Sequence, residues 1–177
     1  MPRTLSDLRA KFRLLAKNLS TSLQDISRSA ASDTKAILVH NVQQQGFGEM
    51  YSDDFVPSYF LIGKQLNAKG KKYIDKKKGG KNWKGLREAQ GLQTRFVDLT
   101  YSGFMFKELG VVKTELKGQY TYYSYIGGLT KDAQQKLNWN YERYGNFAQK
   151  AIKKRDVSFI AKNASVKTLN VIKNIGL

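Results

Sequence analysis

Residues 98–159 read DLTYSGFMFKELGVVKTELKGQYTYYSYIGGLTKDAQQKLNWNYERYGNFAQKAIKKRDVSF, and the fold class is decided in this stretch. Its opening predicts a short helix capped by Thr100 or Ser102, with Phe104, Met105, Phe106 and Leu109 on the apolar side. VVKTEL and QYTYYSYI follow, rich in β-branched and aromatic residues and joined at Lys117 and Gly118, which predicts two antiparallel strands. Past Gly127 and Gly128, Thr130 is the expected N-cap of a second helix that Gly145 ends. Ala133, Leu137, Tyr141 and Tyr144 recur at helical spacing and predict its buried face.

Outward toward the N-terminus, Leu5, Leu8, Phe12, Leu15 and Leu19 alternate steps of three and four, and Leu23, Ile26, Ala30 and Ile37 carry the stripe on. Thr4 and Asp7 are spaced for a near capping box. An unbroken helix over 5–41 would be roughly 55 Å long, with Ser20–Ser22 and Ser27–Asp33 as the places for a kink. From 45 to 96 the periodicity fades, and an irregular excursion is expected there. It contains KGKKYIDKKKGGKNWK (69–84), where eight lysines and one aspartate supply +7 of the net +17. Its glycines and lack of period predict an exposed basic loop. Downstream of Gly145, VSFIA suggests a short extended piece, and SVKTLNVIKNI a closing helix capped by Ser165 that buries Val166, Leu169 and Ile172. The expected whole is a single α+β domain over 1–177: a long N-terminal helix on a small antiparallel sheet, with further short helices and a basic loop insertion.

Composition narrows function. Cysteine is absent, which removes disulfides, thiolate chemistry and Cys-based zinc sites. No signal peptide or membrane-spanning run is expected. A net charge of +17 predicts attraction to polyanions: nucleic acid, an acidic protein surface or an anionic membrane. No catalytic constellation assembles around the single histidine, His40, or around Asp53, Asp54 or Glu142, so neither an enzyme nor a cofactor nor a metal is expected. Gly80 and Gly85 have P-loop spacing, but Leu86 and Arg87 stand where that loop needs Lys and Ser or Thr. Lys69, Lys71, Lys72, Lys76, Lys77, Lys78, Lys81 and Lys84 are the candidate contacts to DNA or to a protein partner. Interleaved with Tyr73 and Trp83, they have the ingredients of a non-specific nucleic-acid site. Strand alternation puts Tyr120 and Tyr122 on one face and Tyr123 and Tyr125 on the other, so Tyr122, Tyr123 and Tyr125 are candidate subunit-interface residues.

Three short elements, in order, resemble signatures of the tail-completion and virion-morphogenesis proteins of tailed phages. SGFMFKE is similar to a Thr-Gly-x-Leu-x-x-Ser element, with Ser102, Gly103 and Met105 in register. YERYG resembles an aromatic helix end of the form His-Glu-Phe-Gly, through Glu142, Tyr144 and Gly145. VSFIAKNAS resembles an Arg-Pro-Phe-Leu element, through Phe159 and Ile160, without its proline. Glu108 and Arg143 also depart from the pattern, and the lysine-rich excursion is additional. The resemblance covers about half the chain. It implies a non-catalytic virion protein, made in the host cytoplasm, that forms a ring of six or twelve copies at the neck or head–tail junction. Its implied neighbours are portal, connector or tail proteins, with non-specific contact to the genome. The alternative is a non-specific nucleic-acid-binding protein that uses the basic loop.

Overall fold

The computed structural model describes residues 4–51, 66–75, 82–99 and 104–175. The chain is α+β: a 41-residue helix, α1 (Leu5–Gln45), packs on a two-stranded antiparallel sheet, and six shorter or later helices complete the described part. Those helices are α2 (Ala68–Asp75), α3 (Trp83–Ala89), α4 (Phe104–Lys107), α5 (Lys131–Tyr144), α6 (Phe147–Ala151) and α7 (Lys154–Ile175). The strands are β1 (Leu109–Leu116) and β2 (Tyr122–Gly128).

α1 starts where its cap says it should. The Asp7 amide donates to Thr4 Oγ1 at 3.1 Å, and the Thr4 amide donates to the Asp7 carboxylate at 3.0 Å, a complete capping box. It ends at Gly46, whose φ of 67° suits glycine and whose amide donates to Val42 O at 3.1 Å. Between these points it runs unbroken, about 60 Å long. The expected kink points are instead where the sheet is tied on. Ser20 pairs with the Tyr122 hydroxyl, and Ser27 Oγ lies 2.8 Å from Ser124 Oγ. These hydroxyls bond across to β2, so the helix ladder is left intact.

β1 and β2 pair from Leu109↔Gly128 to Leu116↔Tyr122 with an irregularity between Val111 and Lys113. The Lys117 amide closes the turn on Thr121 O at 2.8 Å. α5 then begins at Thr130, whose hydroxyl accepts from the Ala133 amide at 3.3 Å. The helix sits hard against the strand end: a Cβ on Gly128 would lie 2.2 Å from the Gln134 backbone nitrogen. The main core gathers Leu38 and Val42 of α1 with Phe47, Val97, Met105, Phe106, Leu109, Leu137, Phe147 and Ala151. Thus α4, β1, α5 and α6 all close on the C-terminal end of α1.

Two expectations are corrected. Residues 157–161 are not extended: they belong to α7, which is continuous through Ser165. The Asp156 carboxylate accepts from the Lys153 amide at 2.9 Å at its start, while Ser165 Oγ donates back to Ala161 O in mid-helix. α7 lies antiparallel to α1, since Asn41 meets Asp156 at 2.9 Å and Ser29 meets Lys167 at 2.5 Å. This pairing places Ile160, Ala164 and Val171 half-buried, and leaves Val166 and Leu169 exposed where burial was expected. A five-residue apolar run carries no helix or strand period by itself, and the partner helix decides.

The second correction concerns 45–96, which is not irregular throughout. α2 and α3 form within it around a small cluster of Leu66, Ile74 and Leu86, with Tyr73 and Trp83 packed against it. Asn67 and Asn82 cap these turns, accepting from the Gly70 and Gly85 amides at 2.8 and 2.7 Å. Of the lysines of this region, Lys69, Lys71, Lys72 and Lys84 lie on the exposed side of this small helix pair.

Candidate functional site

The described surface carries three apolar regions left uncovered among the described residues. The first is the N-terminal third of α1. Leu5 is 66% exposed and Phe12 59%, with Leu8 and Leu14 also exposed and Leu15 and Leu19 half-exposed. The second is the outer side of the β1–β2 hairpin. Tyr122 turns inward to Ser20, whereas Tyr123 and Tyr125 point away from α1 and are exposed, beside Val112. The three tyrosines therefore do not share one face; Tyr122 bonds to the chain's own α1. The strand alternation expected for 122 against 123 and 125 is present, and Tyr120 falls in the turn. The third is the outer side of α7, where Phe159, Val166 and Leu169 are exposed among Arg155, Lys162 and Lys173.

Around Tyr125 the hairpin builds a compact charge cluster. Glu115 accepts from Lys117 Nζ at 2.8 Å and from the Tyr125 hydroxyl at 2.7 Å, and it pairs with Lys113. Hydrogen bonds from Lys113, Lys117 and Tyr125 hold its carboxyl down at about 2. The same contacts raise the Lys117 and Tyr125 values. This cluster locks the Tyr125 ring in one direction at the surface. It offers an interface a fixed aromatic rather than a reactive group.

The lysine-rich stretch is only partly within the described residues. Lys69, Lys71 and Lys72 lie exposed on α2, and Lys84 is exposed on α3. Lys76, Lys77, Lys78 and Lys81 lie outside the described residues, as do Ser102, Gly103, Asp53 and Asp54. Tyr73 and Trp83 are half-buried in the α2–α3 cluster, which turns them away from service as free stacking platforms. Of the other motif residues, Met105 is buried in the core and Tyr144 meets Phe47 edge-on at 5.4 Å. Gly145 ends α5 at a φ of 66°. Glu142 and Phe159 are exposed. The described resemblance residues are therefore dispersed over core, cap and surface.

His40 lines an open groove of about 450 Å³ between α1 and α7, with Asn41, Arg155 and Asp156. Asn41 is engaged there, donating to Ala151 O at 3.0 Å and to Asp156. The Lys153 amide, and then Asn41, hold the Asp156 carboxyl below its usual range. These groups fasten the α7 start to α1.

A buried polar network was missed in the sequence. Asp98 accepts from Arg87 at 2.9 Å, from the Tyr51 hydroxyl at 2.7 Å and from Gln93 at 2.8 Å. Arg87 also donates to Gln93 O at 2.9 Å, and its guanidinium lies 4.3 Å from the centre of the Tyr51 ring. Both charges are almost wholly buried. Burial first, against the opposing pull of Arg87, raises the Tyr51 phenol above the ordinary tyrosine range, so it stays protonated and donates. The partners lie 11 and 47 residues apart, so no local spacing announces them. The network clamps the excursion back onto the core; every carboxylate oxygen is occupied by the protein itself.

No group of three or more metal-ligating side chains occurs among the described residues, and no helix there is long and apolar enough to cross a membrane. No protein-family model, curated protein or solved structure matches this chain.

Proposed function

We propose that this protein is a structural subunit of a multi-protein assembly, a ring at the neck or head–tail junction of a tailed-phage particle. The observation that carries the assembly reading is the set of three bare apolar regions on α1, the hairpin and α7. Exposed patches of this kind, rimmed by polar residues, are what subunit contacts cover. The phage setting rests on the ordered resemblance around Ser102–Glu108, Glu142–Gly145 and Phe159–Ile160, which also implies six or twelve copies and portal, connector or tail neighbours. In this reading Tyr123 and Tyr125 face a neighbouring subunit, and Lys69, Lys71, Lys72 and Lys84 face either the genome or an acidic neighbour. The role is scaffolding, with no chemical step.

The second reading, a non-specific nucleic-acid binder, is favoured by the net charge of +17. The half-burial of Tyr73 and Trp83 weighs against its stacking component. Mass of the purified protein in solution, at moderate and high salt and with and without DNA, separates the two. A discrete ring that persists at high salt without DNA, and is lost in a Tyr123→Ser, Tyr125→Ser variant, is the expected result. A monomer that associates only through DNA and dissociates as salt rises would replace the ring reading with the nucleic-acid one.

A further inference from the structure

The bare end of α1 has a geometry that selects its occupant. Among the described residues, side-chain hydrogen bonds from α1 to other elements begin at Ser20, where Tyr122 is met, and continue through Ser27, Ser29 and Asn41. α7 runs about 12 Å past Lys167 toward the α1 start, reaching the level of Thr21. Residues 5–19, about four turns, therefore extend beyond both the hairpin and α7. At 3.6 residues per turn, Leu5, Leu8, Phe12, Leu15 and Leu19 lie in the sector between Ser27, which faces the hairpin, and Ser29, which faces α7. The bare stripe continues the side of α1 that the body covers further along. Arg9 and Arg13 flank it on one side and Lys11 on the other, and Lys17 follows Arg13 one turn on.

We propose that the segment Leu5–Leu19 is a docking arm for an acidic amphipathic helix of another protein. That helix would lie in the notch beyond the ends of α7 and the hairpin. Two requirements set this chemistry: the occupant must cover the leucines and Phe12, and it must meet the flanking Arg9, Arg13 and Lys11, beside which Asp7 is the one acidic residue in 5–19. A nucleic-acid backbone meets the cations and leaves the apolar stripe in water. A second copy brings a stripe with the same flanking cations, and a body whose net charge is +17, to an already basic surface. A flat anionic bilayer meets the hairpin and α7 first, because both stand on the same side of α1 as the stripe. A helix with apolar residues on one face and Asp or Glu on its flanks fits the notch, the stripe and the charges together. Without it the arm is a helix of marginal length for independent stability in water. The inference stands whether or not the assembly is a ring.

The test uses the full chain and a designed helical peptide of about three heptads, with Leu and Ile on one face and Glu on both flanks. Its control has Lys in place of Glu. Fluorescence anisotropy is expected to show the Glu peptide binding about tenfold or more tightly than the Lys peptide. A Leu8→Ser, Phe12→Ser variant, which leaves the core untouched, is expected to lose binding by about tenfold or more. Arg9→Glu, Lys11→Glu, Arg13→Glu is expected to reverse the preference between the two peptides. Equal binding of both peptides, or binding unchanged by Leu8→Ser, Phe12→Ser, overturns the proposal. So does dimerisation through the arm without peptide, or Phe12-dependent capture by phosphatidylserine vesicles in preference to the Glu peptide.

Discussion

Both ends of α1 carry large apolar residues interspersed with polar ones, yet they meet opposite fates. At the C-terminal end, Leu38 and Val42 are sealed in the core, Val42 completely, and Asn41 is bonded to two partners. At the N-terminal end, Leu5, Leu8 and Phe12 stand in water on a helix held locally by little more than its Thr4 cap. The difference lies in what is brought alongside. Hydrophobic periodicity says that a helix has a face to cover, and the tertiary fold says whether this chain does the covering. Where it does, the face specifies the fold; where it does not, it specifies a partner.

Core substitutions should make this contrast plain, with the largest losses. Phe147→Ala removes a fully buried ring that packs on Phe47 and Tyr141, and a loss of about 3–5 kcal/mol in urea unfolding is expected. Arg87→Ala strands the buried Asp98 carboxylate, again costing about 3–5 kcal/mol. A loss below about 1 kcal/mol for both would mean that the C-terminal end of α1 is no better anchored than the arm. Gly128→Ala is the next step down. Its Cβ would meet the Gln134 backbone, which no side-chain rotation relieves, so α5 must shift, at about 1–3 kcal/mol.

At the arm, Phe12→Ser should change the unfolding free energy by less than about 0.5 kcal/mol, because the residue is 59% exposed. A loss comparable to that of Phe147→Ala would place the arm inside the cooperative fold. The smallest expected effect is a titration. Three donors hold Glu115 at about 2 rather than the usual 4.5, so its ion contacts are fully present above pH 4.5 and lost only as pH falls through about 2. Carboxyl-carbon NMR should show Glu115 titrating at about 2, and Lys113→Met, Lys117→Met should move it up toward 4.5.

What was legible in the sequence was local. The Thr4–Asp7 box, the Thr130 cap, the Gly145 stop and the alternation of Tyr122 with Tyr123 are each written within a few residues, and each is present. The α+β class followed from them. Elements defined by distant contacts were not legible. Val157–Ala161 resembled a strand until α1 was laid beside it, and residues 69–84 resembled loop because lysines outnumber the residues that pack, Tyr73, Ile74 and Trp83. The Arg87–Asp98–Tyr51 network joins three segments and leaves no spacing to read. The interface reading was half legible: strand alternation separates Tyr122 from Tyr123 and Tyr125, but the inward turn of Tyr122 depends on Ser20, about a hundred residues away.

Residue-resolved amide hydrogen exchange along α1 tests the division of this helix most directly. The expected profile has residues 5–19 exchanging near the open-helix limit, protection rising from about Ser20, and residues 38–45 exchanging only through global unfolding. Uniform protection from Leu5 to Gln45 in the isolated protein would contradict the account, because it would mean that the N-terminal stripe is already covered.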